Sequence, residues 1–157
     1  MAATVPFQRF LEQHSAAVLA FLRATVGPQE AEDCFQETFM AALRNYERLD
    51  GANPRAWILT IARRKAIDHH RTRARRPLPR GDLPEPAAPA PAEPDGELWA
   101  AVAALPPKQR AAVALRYACE LPYREVAQAM GTSEEAARRN VHEGLRKLRR
   151  ALEEVAR

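Results

Sequence analysis

Between Pro77 and Pro94 the chain reads PLPRGDLPEPAAPAPAEP, and this stretch limits how every other residue can be used. Proline fixes φ and has no backbone N–H, so repeated proline excludes a helix interior and a sheet ladder alike. Almost no large apolar side chain interrupts the run, so it cannot build a core and reads as an extended linker. The 157 residues are thereby divided into a first domain, 1–76, a Pro/Ala-rich acidic linker, 77–95, and a second domain, 96–157. Both flanks carry helical periodicity, which predicts an all-α chain of two small domains, three helices before the linker and four after it. Domains of this size bury little apolar surface, so each alone should be only modestly stable.

In the first domain, Phe7, Phe10, Leu11, Val18, Leu19, Phe21 and Leu22 fall largely on one side of a helix from Pro6 to Val26, ended by Gly27-Pro28. His14 lies near that stripe and reads as structural. Pro28 suits the first turn of a second helix, which runs to about Tyr46 on Ala31, Cys34, Phe35, Phe39, Ala42 and Leu43. Its other side gathers Glu32, Asp33, Gln36 and Glu37, a compact acidic and amide surface that charge alone does not distinguish from a solvated face. Gly51 breaks the chain, and Asn53-Pro54 is an N-cap followed by an N1 proline, predicting a third helix to about Thr72. It buries Trp57, Ile58, Ile61 and Ala62, and then carries Arg63, Arg64, Lys65, Arg71, Arg73, Arg75 and Arg76. Asp68 can pair with Arg64 or Arg71, but most of this charge remains available for phosphate.

The second domain begins with a helix from Asp95 or Gly96 carrying Leu98, Trp99, Val102 and Leu105, stopped by Pro106-Pro107, and a next helix to about Ala118. Then Leu121 to Arg149 reads LPYREVAQAMGTSEEAARRNVHEGLRKLR. Pro122 can open a short helix over Val126, Ala127 and Met130; Gly131 supplies a turn; Ser133 can cap a second helix, with Glu134 and Glu135 in its positive first turn. Along that second helix Ala137, Val141, Leu145, Leu148, Leu152 and Val155 form a burial seam, while Arg138, His142, Arg146 and Arg149 form a basic stripe. Short helix, glycine turn and capped basic helix make a helix-turn-helix, whose second helix can enter a major groove. The stripe taken alone would equally suit a solvated face.

Other functions find little support. Cys34 and Cys119 stand far apart in apolar helical settings, so a disulfide framework is not expected. His69 and His70 are adjacent and point about 100° apart on a helix, and read as surface residues. No Cys/His cluster, glycine-rich phosphate loop or nucleophile–base–orienter set occurs, so we expect no metal, no cofactor and no catalytic residue. Neither a signal segment nor an apolar run of spanning length is present, which points to a cytoplasmic protein without membrane insertion. The formal charge of +4 favours a polyanionic partner, and its clustering matters more than its sum.

Two segments resemble one family. AEDCFQETFMAALRNYERL followed by NPRAWILTIARRKAIDHHR resembles region 2 of bacterial RNA polymerase sigma factors, particularly the extracytoplasmic-function group. LPPKQRAAVALRYACELPYREVAQAMGTSEEAARRNVHEGLRKLRRAL resembles region 4 of the same group, in the expected order. The resemblance implies a non-catalytic specificity subunit that recruits core RNA polymerase to promoter DNA and assists melting. It implies that Asp33, Gln36, Glu37 and Met40 meet the polymerase clamp, formed by the largest subunits. It assigns the minus-ten element and melting to Asn53, Arg55, Trp57, Arg63, Arg64, Lys65 and Arg71, with Trp57 either a base-stacking ring or a core residue. The minus-thirty-five element falls to Arg138, Arg139 and His142, with Tyr123, Arg124 and Arg146 touching backbone. An anti-sigma factor is a further implied partner. The linker would thread the polymerase, its acidic residues either solubilising or mimicking a strand.

Departures from the usual family wording are Ala137 for valine, Glu143 for a basic residue, Arg64 for asparagine and Leu59 for tyrosine. Ala137 suggests looser packing of the reader helix; Glu143 either removes a phosphate contact or accepts from a cytosine amino group. Two other readings stand beside the sigma factor: a stand-alone helix-turn-helix regulator, and an adaptor or antagonist that binds another transcription protein.

Overall fold

The computed structural model describes residues 5–49, 53–75 and 96–156; the linker, and the break expected at Gly51, lie outside them. Seven α-helices occur among these residues and no strand. α1 is Phe7–Val26, α2 Ala31–Arg44 and α3 Pro54–Arg75. α4 is Gly96–Ala103, α5 Pro107–Val113, α6 Tyr123–Met130 and α7 Glu134–Val155.

α1, α2 and α3 form the first bundle, each packed on the other two. Val18, Phe21 and Leu22 of α1 meet Ile58 and Leu59 of α3, all fully buried, and each such side chain contributes roughly 1.5–3 kcal/mol of apolar transfer. At one end of the bundle Phe7, Phe10, Phe39, Tyr46 and Trp57 gather, with the Phe10 ring 5.2 Å from Tyr46 and 5.8 Å from Trp57. The Tyr46 hydroxyl donates to the Val5 carbonyl, fastening the chain ahead of α1 to this aromatic end.

Pro28 does not open α2. Gly27 takes φ 90°, residues 28–30 form a turn closed by Ala31 N–H donating to Gly27 O at 3.1 Å, and the helix begins at Ala31. The expected N-cap of α3 is present: Asn53 Oδ1 accepts from Arg55 N at 3.1 Å and from Ala56 N at 3.3 Å.

In the second bundle α5 and α7 approach so closely at Gly144 that a Cβ there would lie 2.7 Å from Val113 Cγ2. After Val113 the helix widens into a π turn, Ala114–Ala118, with Cys119 N–H donating to Ala114 O at 3.1 Å. Leu115 is thereby buried while Tyr117 faces out, and Glu120 adopts φ 56° before the chain turns into α6. The two bundles share one core. α3 lies along α6, α1 rests on α4, α5 and the π turn, and the Cys119 thiol donates to Ala17 O at 3.3 Å.

Candidate functional site

α6, the Gly131 turn and α7 make the helix-turn-helix. Gly131 is left-handed at φ 63°, ψ 39°, and Thr132 N–H reaches back to Ala127 O at 3.0 Å, closing α6. Ser133 Oγ then accepts from Ala136 N at 3.1 Å, which starts α7. Val126, Ala129, Ala137 and Val141 are buried between the helices, so the turn is held by packing as well as by caps. Ala137 is fully buried on that seam.

Arg138, Arg139, His142, Arg146 and Arg149 are all exposed, and at about 100° per residue they span an arc of roughly 100° on α7. Arg138 is the most constrained of them. Its Nη2 donates to Glu134 at 3.1 Å, and its guanidinium lies 4.6 Å from the centre of the Tyr123 ring. Arg116 covers the same ring at 4.7 Å and is itself tied to Leu121 O at 3.0 Å. Tyr123 is therefore a half-buried spacer between two cations, while Arg124 beside it is free in solvent. Glu143 accepts from Gln109 of α5 at 3.2 Å, so its carboxylate is engaged within the bundle.

On α2, Asp33, Gln36, Glu37 and Met40 follow one another at helical spacing and all are exposed. Met40 is 55% exposed, and Leu43, one turn on and expected from the sequence on the apolar side of the helix, is instead 57% exposed because it falls next to Met40 on the outward face. An apolar pair bordered by carboxylates is what a partner surface needs, a desolvated centre with a polar rim. Cys34, on the buried side, has its thiol pushed up to about 11 by burial and by Glu37, Glu30 and Asp33, and is inert as a nucleophile.

The seven predicted positions of α3 do not form one surface. Arg64 and Arg71 are exposed, Lys65 is half-buried, and Trp57 is half-buried with its ring edge on Phe10. Asn53, Arg55 and Arg63 instead face the second bundle. Arg55 Nη2 donates to Glu125 Oε2 at 2.6 Å and Asn53 Nδ2 donates to Glu125 Oε1. Arg63 is half-buried, its guanidinium pKa lowered by burial and then by Arg64. Further along the same seam, His70 Nε2 lies 2.9 Å from Thr25 O and 3.1 Å from Arg110 Nη1, and Arg110 Nη2 donates to Leu105 O at 2.9 Å. His70 is exposed, as its expected surface position requires, yet its ring also bridges the rim of the seam, while His69 is half-buried 4.0 Å from Glu30. No metal-ligating cluster occurs among the described residues. No described helix is long and apolar enough to cross a membrane.

Glu125, Lys108 and Arg110 were not singled out by sequence. Glu125 had one signal, its place four residues before Ala129 on the apolar side of α6; the structure leaves it 7% exposed, where a carboxylate requires a partner.

Comparison with known proteins follows the same division. A family model for Sigma-70 region 2 matches residues 10–76, and one for Sigma-70, region 4 matches residues 95–148. CarQ of Myxococcus xanthus, an RNA polymerase sigma factor, is 32% identical over 157 residues, which cover 95% of this chain and 90% of CarQ. The extracytoplasmic-function (ECF) RNA polymerase sigma factor SigJ of Mycobacterium tuberculosis is 35% identical over 82% of this chain, which spans only 44% of SigJ. Among solved structures, the sigma factor RpoE in complex with the anti-sigma factor NepR, from Bartonella quintana, gives a TM-score of 0.76 at 23% identity, covering 94% of this chain and 96% of that one. At that identity the likeness is one of fold.

Proposed function

Because the chain belongs to the ECF group of sigma-70 RNA polymerase sigma factors, we propose that it directs core RNA polymerase to specific promoters and assists strand opening. The observation that carries this reading is the pairing of two unlike surfaces on one chain. An acidic and apolar patch, Asp33, Gln36, Glu37 and Met40, suits a protein partner, and a capped helix-turn-helix with an exposed basic arc suits DNA. A stand-alone regulator would need only the second.

In this reading α7 enters the major groove at the minus-thirty-five element, Arg138, Arg139 and His142 facing base edges and phosphate, with Arg124 and Arg146 on the backbone. Arg64 and Arg71 of α3 hold strand phosphates near the minus-ten element, and Lys65 adds a third charge. Trp57 leans on Phe10, so any base it stacks must meet the half of its ring that remains accessible. The protein contributes binding and orientation with no chemistry of its own, and works in the cytoplasm where polymerase and DNA are.

The test is reconstitution of the full chain with core polymerase, followed by mapping of transcript starts. We expect promoter-dependent transcripts that vanish when Asp33→Lys and Glu37→Lys are combined. Retained transcriptional control in that double variant would favour the stand-alone regulator; no association with core enzyme at low salt would overturn the sigma reading.

A further inference from the structure

A polar cavity of about 480 Å³ opens where α3 meets the helix-turn-helix, lined by Arg63 of α3, Lys108 of α5, Thr132 of the turn, and Arg139, Asn140 and Glu143 of α7. Three cationic side chains from three helices converge on it. None of the three is within salt-bridge distance of a described acid, and the one carboxylate present, Glu143, is held by Gln109. A second cavity on the same seam shares Arg63 and Lys108 and adds Arg110, a further cation, beside the ring of His70. Like charges brought together in a partly enclosed space repel more strongly than they would in open water. A bound anion would give these three cations the acidic partner that the described residues do not supply.

The lining also says what kind of anion fits. The volume matches a small molecule. Two guanidinium groups, Arg63 from one bundle and Arg139 from the other, suit the bidentate, charge-assisted recognition of phosphate oxygens, and Lys108 adds a point charge. The Thr132 hydroxyl makes no hydrogen bond to a described residue and is free to donate. No aromatic ring lines the space, so there is nothing for a nucleobase to stack on. We propose that this cavity binds a small multivalent phosphate, gripped by Arg63 from one bundle and Arg139 and Lys108 from the other, and that the anion clasps the two bundles together.

Pyrophosphate titrated into the intact chain in about 150 mM KCl, followed by calorimetry and thermal melting, tests this directly. We expect one saturable site, and melting raised by about 5–10 °C at about 100-fold excess over the dissociation constant. Lys108→Ala, Arg63→Lys and Arg139→Ala should each weaken binding roughly tenfold, the loss of about one charge-assisted hydrogen bond. Arg150→Ala, an exposed cation on α7 outside the cavity, should leave it unchanged. The proposal is overturned if pyrophosphate gives no saturable heat, if KCl of matched ionic strength stabilises the chain equally, or if Arg150→Ala weakens binding as much as Lys108→Ala. All of these readouts are independent of transcription, so their failure leaves the sigma reading untouched.

Discussion

Glu125 of α6 and Arg55 of α3 meet across the seam with Oε2 2.6 Å from Nη2, and Asn53 donates to the other carboxylate oxygen. The two sides of this pair are unequally wet: the Glu125 side chain is 9% exposed and that of Arg55 39%. The contact fastens the first helix of the helix-turn-helix to the N-terminus of the helix assigned to the minus-ten element. Under the proposed function the two promoter elements lie about 25 base pairs apart, roughly 85 Å at about 3.4 Å per step, so that reading predicts that the seam opens when both are engaged.

The unequal burial predicts an unequal mutational cost. Arg55→Ala leaves a buried carboxylate with Asn53 as its one remaining partner and should cost about 2–4 kcal/mol, relieved by opening of the seam. Glu125→Ala leaves a guanidinium that can rehydrate and should cost about 1 kcal/mol, as should Glu125→Gln, which keeps the shape. Urea unfolding gives the energies, and fluorescence transfer between dyes on α2 and α7 reports the opening. A larger loss for Glu125→Ala than for Arg55→Ala would contradict this account of the pair.

At Gly144 the constraint is steric. Alanine would gain about 1 kcal/mol of helix propensity, yet its Cβ would meet the stiff Val113 side chain at 2.7 Å. Overpacking of this kind costs about 1–3 kcal/mol, so Gly144→Ala should be destabilising on balance. The loss should shrink in a Val113→Ala background, where the clashing methyl is gone; a double-mutant cycle with no coupling would place the cost elsewhere.

Acid should loosen the seam. The pKa of His70 is lowered chiefly by burial and further by Arg110, His69 and Arg73, against an opposing hydrogen bond with Thr25 O. His14 shifts the same way, through burial and then Arg55. With folded pKa values below the ordinary one, about 6.5, the unfolded chain takes up protons first as pH falls. Stability is therefore complete above about pH 7 and declines below about 6.5 as the unfolded histidines charge. Melting temperatures across this range should flatten in a His14→Gln, His70→Gln variant; an unchanged slope would assign the acid sensitivity to other groups.

What the sequence disclosed and what it withheld divide by range. The Ser133 cap, the Gly131 turn, the Asn53 cap and the spacing of Asp33, Gln36, Glu37 and Met40 are each set within one or two helical turns, where residue order dictates geometry. Glu125 and Arg55 are 70 positions apart, and nothing local in either announces the other. Arg63 and Arg139 likewise read as members of separate DNA-facing sets, and their shared cavity exists only because the bundles pack. The late start of α2 comes from the Gly27 backbone, which outweighed the preference of Pro28 for a first turn. The π turn after Val113 adds one residue to a ladder whose apolar pattern looked regular.

The Tyr123 ring, held between Arg116 and Arg138, bears on how the reader helix is prepared for DNA. If Tyr123 touched backbone phosphate through its hydroxyl, Tyr123→Phe and Tyr123→Leu would be equally harmful. The geometry favours a different role, because the ring face and not the hydroxyl is what orients Arg138, and phenylalanine retains that face. Arg138→Ala should weaken holoenzyme binding to a promoter carrying the upstream element by about 1–3 kcal/mol, roughly 5- to 150-fold, with core binding unchanged. Tyr123→Leu should lose a fraction of this, about 0.5–1 kcal/mol, and Tyr123→Phe almost none. In an Arg138→Ala background the Tyr123→Leu loss should disappear, since the side chain it orients is absent. Promoter affinities at one fixed salt concentration decide the matter, and equal losses for Phe and Leu would restore Tyr123 to the backbone-contacting set.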